Sequence, residues 1–268
     1  MGSGVAIQTS RRHPLQRFDS PSKGLSGVVH VAGLTSFYHS FKFISDNPNQ
    51  FNNSFGWHLQ FLTILGIAIC TVCFSFGLVA DLTNNTTLFR IKNYILLVAA
   101  PLEIVISILY WGLRAIDTAL VVPPDLPLPP LLYDLTFHFF PAALTTLDAL
   151  LLSPPWPSSS SSSSEEEPMV PHHAPFVSLA LCTATVLLYW VWIEICYANN
   201  GFYPYPLFAL LSTAQRIALF TLSGAIMCGV AAALRAAYAC CNGCEGVVDE
   251  LKQGKKRAGR GVAGAKLD

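Results

Sequence analysis

Residues 57–80 read WHLQFLTILGIAICTVCFSFGLVA and contain no Asp, Glu, Lys or Arg. An α-helix needs ~20 mostly apolar residues to cross a bilayer, and this run is long enough. Five further runs of similar character lie at about 24–45, 93–116, 130–152, 175–197 and 207–238. The pattern predicts an all-α, polytopic membrane bundle of six transmembrane helices. Five helices are the alternative, because His30, His39 and Lys42 dilute the first run.

The composition supports a membrane protein and excludes a nucleic-acid binder. Of 268 residues 52% are apolar and only 12% are charged, about half the ~25% charge of soluble domains. Lys plus Arg equals Asp plus Glu, 16 against 16, so the net charge attracts no polyanion. Most of the eight cysteines fall inside apolar runs, where cysteine packs as a small hydrophobe. We therefore expect neither a disulfide framework nor a metal site.

Basic residues predict the orientation, since loops rich in Lys and Arg stay in the cytosol. They precede the first run, follow the last, and include Arg90 and Lys92 between the second and third. The intervening loops 46–56, 117–129 and 198–206 contain no Lys or Arg. With six spans, both termini are therefore expected to be cytosolic.

Three segments follow from this assignment. Residues 1–23 form a cytosolic N-terminal tail, 24–238 the transmembrane bundle, and 239–268 a basic cytosolic tail. Within the bundle, loop 153–174 holds an unbroken run Ser158–Ser164 followed by three glutamates. Such a composition cannot bury a core and predicts disorder.

Ionisable side chains inside apolar spans are costly, which makes them candidates for function. They are Glu103, His138, Asp148, Glu194 and Arg216, with Asp134 at the entrance of the fourth run. At 1.5 Å per residue, counted inward from the lumenal ends of their runs, the depths are ~9 Å for Thr63, ~10 Å for His138, ~14 Å for Arg216 and ~5 Å for Glu194. Four helices therefore bring polar groups to one layer of the lumenal leaflet.

Thr63 and His138 are a candidate nucleophile and base within this layer. Asp134 precedes His138 by four residues, so both lie on one helical face. A carboxylate fixes the tautomer of an imidazole, and a hydroxyl beside such an imidazole can act as a nucleophile. Gln60, three residues before Thr63, and backbone amides are candidate oxyanion donors.

Structural roles remain open for the same residues. A helical threonine commonly bonds its own i−4 carbonyl, and His138 also fits an interhelical hydrogen bond. Arg216 is expected to pair with Glu194 or Glu103. Its guanidinium also suits the carboxylate of a substrate or an anionic lipid head.

Six short motifs, in order, carry a resemblance to a known family. They are Trp57-His-Leu-Gln-Phe-Leu-Thr63, Ala100-Pro-Leu-Glu103, Leu109-Tyr-Trp111, Val122-Pro-Pro124, Asp134-Leu-Thr-Phe-His138 and Gly201-Phe-Tyr-Pro-Tyr-Pro206. From about residue 24 to 238 the chain resembles the androgen-induced and androgen-dependent TFPI-regulating protein family, in a fungal-type form. Two departures are Tyr133-Asp134, where animal members carry an Asn-His pair, and a longer Ser/Glu loop.

The resemblance implies an intramembrane hydrolase that cleaves fatty acid esters of hydroxy fatty acids with a threonine and a histidine from separate helices. By motif these are Thr63 and His138, with Asp134, Gln60, Glu194 and Arg216 in supporting or substrate-binding roles. We expect no cofactor, a lipid ester from the bilayer as partner, and the endoplasmic reticulum or another secretory-pathway membrane as location.

Three other classes stay open. A transporter would also bury ionisable groups, although the halves of this chain show no repeat of the kind common in transporters. A haem-binding electron carrier would use two histidines from different helices, such as His39 and His138. A non-catalytic lipid-binding scaffold would use the polar layer only to hold the helices together.

Overall fold

The computed structural model describes residues 22–123, 126–153 and 174–242, and within those ranges it is helical without a β-strand. The predicted basic tail beyond residue 242 and most of the Ser/Glu-rich loop lie outside the described residues, as does nearly all of the N-terminal tail. The all-α class is therefore confirmed for the described part of the chain.

The described helices are named in chain order. They are α1 (Lys23–Asp46), α2 (Leu62–Thr83), α3 (Thr86–Ile116), α4 (Leu131–His138), α5 (Phe140–Leu147), a π-helical segment (Asp148–Leu152), α6 (Ala174–Asn200), α7 (Pro206–Leu210) and α8 (Thr213–Asn242). Short 3-10 helices lie at Gln50–Asn53, Trp57–Gln60 and Thr118–Leu120.

Four of the described helices are long and apolar enough to cross a membrane. They are α2, α3, α6 over Ser178–Asn200 and α8 over Thr213–Tyr238. The pair Leu131–His138 and Phe140–Leu152 gives a fifth candidate if its two parts, bent by 43°, count as one span. α1 has the length but is not among these candidates. A membrane protein of four to five candidate spans is thus confirmed, while the sixth span and the cytosolic position of both ends stay predictions.

α2 begins at Leu62, five residues later than the apolar run suggests. Gly56 and Trp57 both have positive φ, +84° and +49°, so the chain turns sharply there and only a 3-10 turn precedes the helix. Thr63 is consequently the second residue of α2. Its depth counted along a continuous helix from Trp57 is therefore wrong, and the side chain lies in the first turn.

The fourth predicted span is broken at Phe139, which has φ −125° and ψ −54°. Pro141 lies in the first turn of α5 and lacks the N–H that would bond the Phe137 carbonyl in a continuous helix. His138 therefore ends α4 instead of lying inside a straight span.

Two of the core clusters within the described residues include α3. One cluster joins α1, α2, α3 and the α5 region around Phe37, Phe74 and Leu152. A second joins α3 to α6 and α8 around Leu102 and Met227. These contacts hold α2, α3 and α4 side by side at the end where the candidate site lies.

Lys92 is a correction to the predicted topology. The pattern of basic residues predicts Lys92 between two spans, but α3 begins at Thr86, capped by the Asn85 side chain on the amides of Thr87 and Leu88. The Lys92 side chain is fully buried and its Nζ lies 2.6 Å from Asp148 Oδ1. Arg90 also lies in α3 but is exposed, so it is the residue of this pair that still favours a cytosolic position for this end of the helix.

Candidate functional site

His138 is held by a buried carboxylate from the preceding turn of its own helix. Its Nδ1 lies 2.9 Å from Asp134 Oδ1, as the spacing of four residues predicts, and the Asp134 side chain is fully buried. Because Nδ1 donates to this carboxylate, Nε2 is left as the ring nitrogen for proton transfer. The imidazole thus has the tautomer and the anchor that a general base needs.

Arg114 completes this anchor from α3. Its Nη1 contacts Asp134 Oδ2 in an ion pair and also donates to the Tyr110 hydroxyl at 3.2 Å. Tyr110 in turn stacks on His138, with ring centroids 3.3 Å apart and planes 4° apart. The guanidinium balances the charge of the buried carboxylate, and the phenol ring fixes the plane of the imidazole.

Sequence reasoning missed Arg114 and Tyr110. The orientation rule uses basic residues in loops, whereas Arg114 lies inside the third apolar run. The pairing of Arg114 with Asp134 could have been predicted. A carboxylate at the start of a span needs a cation as partner, and Arg114 is the basic residue nearest to the lumenal end of the neighbouring run.

Thr63 is buried in the first turn of α2. A helical threonine commonly donates to the carbonyl four residues before it, which here is that of Leu59. The Leu59 carbonyl accepts a hydrogen bond from the indole Nε1 of Trp192 at 2.9 Å. The Tyr205 hydroxyl accepts the Leu62 N–H at 3.0 Å, directly beside Thr63. Burial raises the pKa of Tyr205, so its phenol keeps its proton near neutral pH.

Two cavities of different character meet at Thr63. One of about 950 Å³ is lined by His138, His58, Asp46, Asn49 and the proline-rich segment before α4. The other, of about 120 Å³, is lined mainly by apolar side chains, most of them from α3, α6 and α8. Thr63, Tyr110, Val121 and Tyr205 line both. Thr63 therefore lies between a cavity with polar groups and a cavity suited to a hydrocarbon chain.

His58 contributes a second imidazole to the polar cavity. Its Nε2 lies 3.2 Å from Asn52 Oδ1, and burial lowers the pKa of His58 to about 4. The ring is therefore neutral at pH 7. Since its hydrogen bond is to an amide oxygen and not to a carboxylate, it lacks the anchor that His138 has.

Gln60 is fully buried next to the candidate site but its amide is already engaged. Its Nε2 donates to Ser54 Oγ at 2.6 Å and to the Trp57 carbonyl at 2.9 Å, and its Oε1 accepts from Asn200 Nδ2 at 3.1 Å. Gln60 does not line either cavity. It fixes the turn that precedes α2.

Glu194 and Arg216 lie together in a separate cluster, where the C-terminal end of α6 meets the start of α8. Arg216 Nε is 3.8 Å from Glu194 Oε1, so of the two expected partners Glu194 is the one found. The guanidinium also donates to the Phe208 and Leu211 carbonyls and lies over the Tyr203 ring. Burial, together with Glu194, raises the pKa of Tyr203 to about 12. The structure does not bring Arg216 or Glu194 to either cavity.

Within the described residues no group of three or more His, Cys, Asp and Glu side chains has metal-binding geometry. His39, the second histidine of the haem alternative, is an exposed residue of α1 whose ring contacts Tyr38. It does not line the cavity that His138 lines.

Fold and site together define a helical membrane protein with a polar cavity between helix ends. Residues 25–239 match the model of the FAR-17a/AIG1-like protein family, and the chain belongs to that family. It is similar to the UPF0641 membrane protein PJ4664.05 of Schizosaccharomyces pombe (strain 972 / ATCC 24843), with 31% identity over 209 residues that cover 77% of this chain and 87% of the relative. No solved structure matches.

Proposed function

We propose that the protein is an intramembrane carboxylic ester hydrolase that cleaves fatty acid esters of hydroxy fatty acids, with Thr63 as nucleophile and His138 as base. The observation that carries the proposal is that Thr63 and His138 line one cavity, and that Thr63 also lines the apolar cavity behind it. An ester with one plain hydrocarbon arm and one arm ending in a carboxylate matches that division.

The first half of the reaction forms an acyl-enzyme. The Thr63 oxygen attacks the acyl carbonyl carbon while His138 Nε2 takes the hydroxyl proton. Asp134 accepts the Nδ1–H at 2.9 Å and stabilises the imidazolium that forms. When the tetrahedral intermediate collapses, the C–O bond to the hydroxy fatty acid breaks and His138 protonates the departing alkoxide.

The second half removes the acyl group. A water molecule from the polar cavity gives a proton to His138 and attacks the threonyl ester. When this second intermediate collapses, the bond to the Thr63 oxygen breaks, His138 returns the proton to that oxygen, and the fatty acid is released. Arg114 stays paired with Asp134 and so balances the charge of the carboxylate that anchors His138. A site at the ends of α2 and α4 suits this step, because water reaches helix ends more easily than the middle of a span.

The proposal includes a topology. Six spans, with α1 as the first, place both termini in the cytosol and the Thr63 end of the bundle on the lumenal side of the endoplasmic reticulum or another secretory-pathway membrane. Reporter tags at the two ends, read by protease protection in sealed microsomes, test this. Both tags must be digested from outside, and protection of either contradicts the topology.

The activity is tested with purified full-length protein in lipid nanodiscs and a branched fatty acid ester of a hydroxy fatty acid. Thr63→Ala and His138→Ala should each lose at least ~1000-fold in kcat/KM, since both act in the same step. Thr71→Ala is the matched control, because Thr71 lies on the same helix and only bonds the Ile67 carbonyl. If Thr63→Ala hydrolyses the ester at the wild-type rate, the nucleophile is misassigned.

A fluorophosphonate probe separates a reactive hydroxyl from a structural one. Labelling should persist in Thr63→Ser and Thr71→Ala and disappear in Thr63→Ala. Wild-type protein that binds the lipid ester without cleaving it, and that takes no label, would instead be a lipid-binding protein.

A further inference from the structure

A second polar cluster, remote from the candidate site, is buried at the opposite end of α1. His30 from α1, Asp81 from α2, Lys92 from α3 and Asp148 from the π-helical segment face one another, and we call these four residues the ionic lock. The side chains of His30, Lys92 and Asp148 are fully buried and that of Asp81 is 4% exposed. Four elements thus converge on one charged cluster that the proposed reaction does not use.

Both ring nitrogens of His30 face carboxylates. Nδ1 lies 2.7 Å from Asp81 Oδ2, and Nε2 lies 3.6 Å from Asp148 Oδ2. An ionised carboxylate only accepts hydrogen bonds, so a neutral imidazole would present a lone pair to one of the two acids. Only the doubly protonated ring offers a proton to each.

The remaining contacts supply hydrogen-bond donors to both acids. Lys92 Nζ lies 2.6 Å from Asp148 Oδ1, and Asp81 Oδ2 also accepts a hydrogen bond from Ser26 Oγ at 2.8 Å. With a neutral His30 the cluster would carry a net negative charge away from water. With a protonated His30 it holds two cations and two anions, which is the arrangement that a low-dielectric interior favours.

The backbone is shaped to admit the imidazole. Gly77 of α2 lies against the His30 ring, and a β-carbon at this position would overlap Nε2. The edge of Phe74 closes another side, with ring centroids 5.0 Å apart. A glycine that leaves room for a fully buried histidine indicates that α2 is fitted to this side chain.

The ionic lock and the polar cavity are connected by α1, which contributes residues to both. Thirteen residues beyond His30, about 20 Å along the helix, Phe43 packs on Tyr133 of α4 with ring centroids 4.5 Å apart. Phe43, Ile44 and Asp46 line the polar cavity that contains Thr63 and His138. α1 is also not among the helices apolar enough to span a membrane by composition. Its position therefore depends on specific contacts more than on hydropathy.

We infer that a proton on His30 closes the ionic lock and docks α1 against the bundle, and that loss of this proton releases α1, which forms one wall of the polar cavity. The groups that face His30 are Ser26 on α1, Asp81 on α2, Lys92 on α3 and Asp148 on the π-helical segment. None of these can replace the missing cation, since Lys92 already pairs with Asp148. This holds whether or not the chain hydrolyses esters.

The protonation state is measured first, on the wild-type chain in nanodiscs with ¹⁵N-labelled histidine. The His30 signals are assigned by their absence from His30→Gln or from the double variant His30→Gln/Asp81→Asn, whichever folds. Both ring nitrogens should be protonated at pH 7. One protonated and one bare nitrogen at this pH would overturn the inference.

The docking of α1 is measured by hydrogen–deuterium exchange at one fixed pH. His30→Gln should raise the exchange of α1 amides by at least ~10-fold, whereas His39→Gln, an exposed histidine on the same helix, should not. The double variant restores a neutral cluster around Lys92 and Asp148 and should recover most of the protection. Equal exchange in His30→Gln and His39→Gln would overturn the role of the lock.

The coupling to pH is read on the wild type alone. Exchange of α1 amides, corrected for intrinsic base catalysis, should rise over the pH interval in which the His30 ring loses its proton. Deprotonation of His30 without a rise in α1 exchange would contradict the release step.

Discussion

Replacing Asp134 by asparagine tests the anchor of His138 with almost no change in shape. The carboxylate has one oxygen on His138 Nδ1 at 2.9 Å and the other on Arg114. In Asp134→Asn the amide oxygen must face the guanidinium, because an NH₂ group cannot accept from it. The NH₂ group then faces His138 and donates to Nδ1, so the ring proton moves to Nε2.

This exchange of tautomers removes the base. Nε2 carrying a proton cannot accept one from Thr63, and an equivalent Asp-to-Asn change in the serine protease triad lowers kcat about 10⁴-fold. If the proposed reaction holds, the loss should be ~10³- to 10⁴-fold in kcat with little change in KM, since Asp134 is fully buried and lines neither cavity. The fully buried Asp134 also loses an ion pair with Arg114, whose side chain is 24% exposed. Allowing for that exposure, the cost is ~1–3 kcal/mol of stability.

The assay is steady-state hydrolysis of the ester in nanodiscs together with unfolding in a denaturing detergent. Asp117→Asn is the control, because Asp117 is exposed, lines neither cavity and caps the Ala119 amide in a way that asparagine also can. A kcat within threefold of wild type in a folded Asp134→Asn protein would refute the tautomer argument.

Three further outcomes follow from the structure. The pKa of His58 is lowered to about 4 by burial. The unfolded chain therefore binds a proton from about pH 6.5 downward that the folded chain binds only near pH 4. The free energy of unfolding should therefore decrease by up to ~3 kcal/mol as the pH falls through this interval. Unfolding of His58→Gln in detergent should depend less on pH. Gly66→Ala should cost ~1–3 kcal/mol, because the added methyl overlaps the Glu103 carboxyl; an unchanged unfolding midpoint would show that α2 and α3 separate easily. Tyr205→Phe removes the acceptor of the Leu62 N–H and should lower stability by ~1–3 kcal/mol, and a calorimetric scan that matches wild type would mean that water replaces the hydroxyl.

The sequence predicted most of the helices because apolar runs of span length have few other structures open to them. The pair Asp134 and His138 was also predictable, since a spacing of four on a helix places two side chains on one face whatever surrounds them. The pairing of Arg216 with Glu194 was also predictable, because two opposite charges at comparable depth in an apolar environment form an ion pair.

What the sequence did not predict depends on local backbone and on contacts between distant segments. The positive φ of Gly56 makes α2 start later and changes the position of Thr63. This was not predictable, because a glycine in the sequence does not by itself indicate a turn. Arg114 and the buried Lys92 satisfy carboxylates 20 and 56 residues away, and no periodicity within one helix shows such pairings. Hydropathy also could not decide the role of α1, because its polar His30 has partners that only the folded bundle provides.

The break at Phe139 has a consequence for how far the architecture tolerates change. If Pro141 were replaced and the 43° bend disappeared while α5 kept its place, Asp134, about 7.5 Å along the helix from Phe139, would move by roughly 5.5 Å. That displacement exceeds the reach of an ion pair, so Arg114 and Asp134 would part although neither had been altered. Pro141, which lines neither cavity, thus sets the alignment of Asp134 with Arg114, and a straightened helix, although a common way to stabilise a bundle, would separate the two.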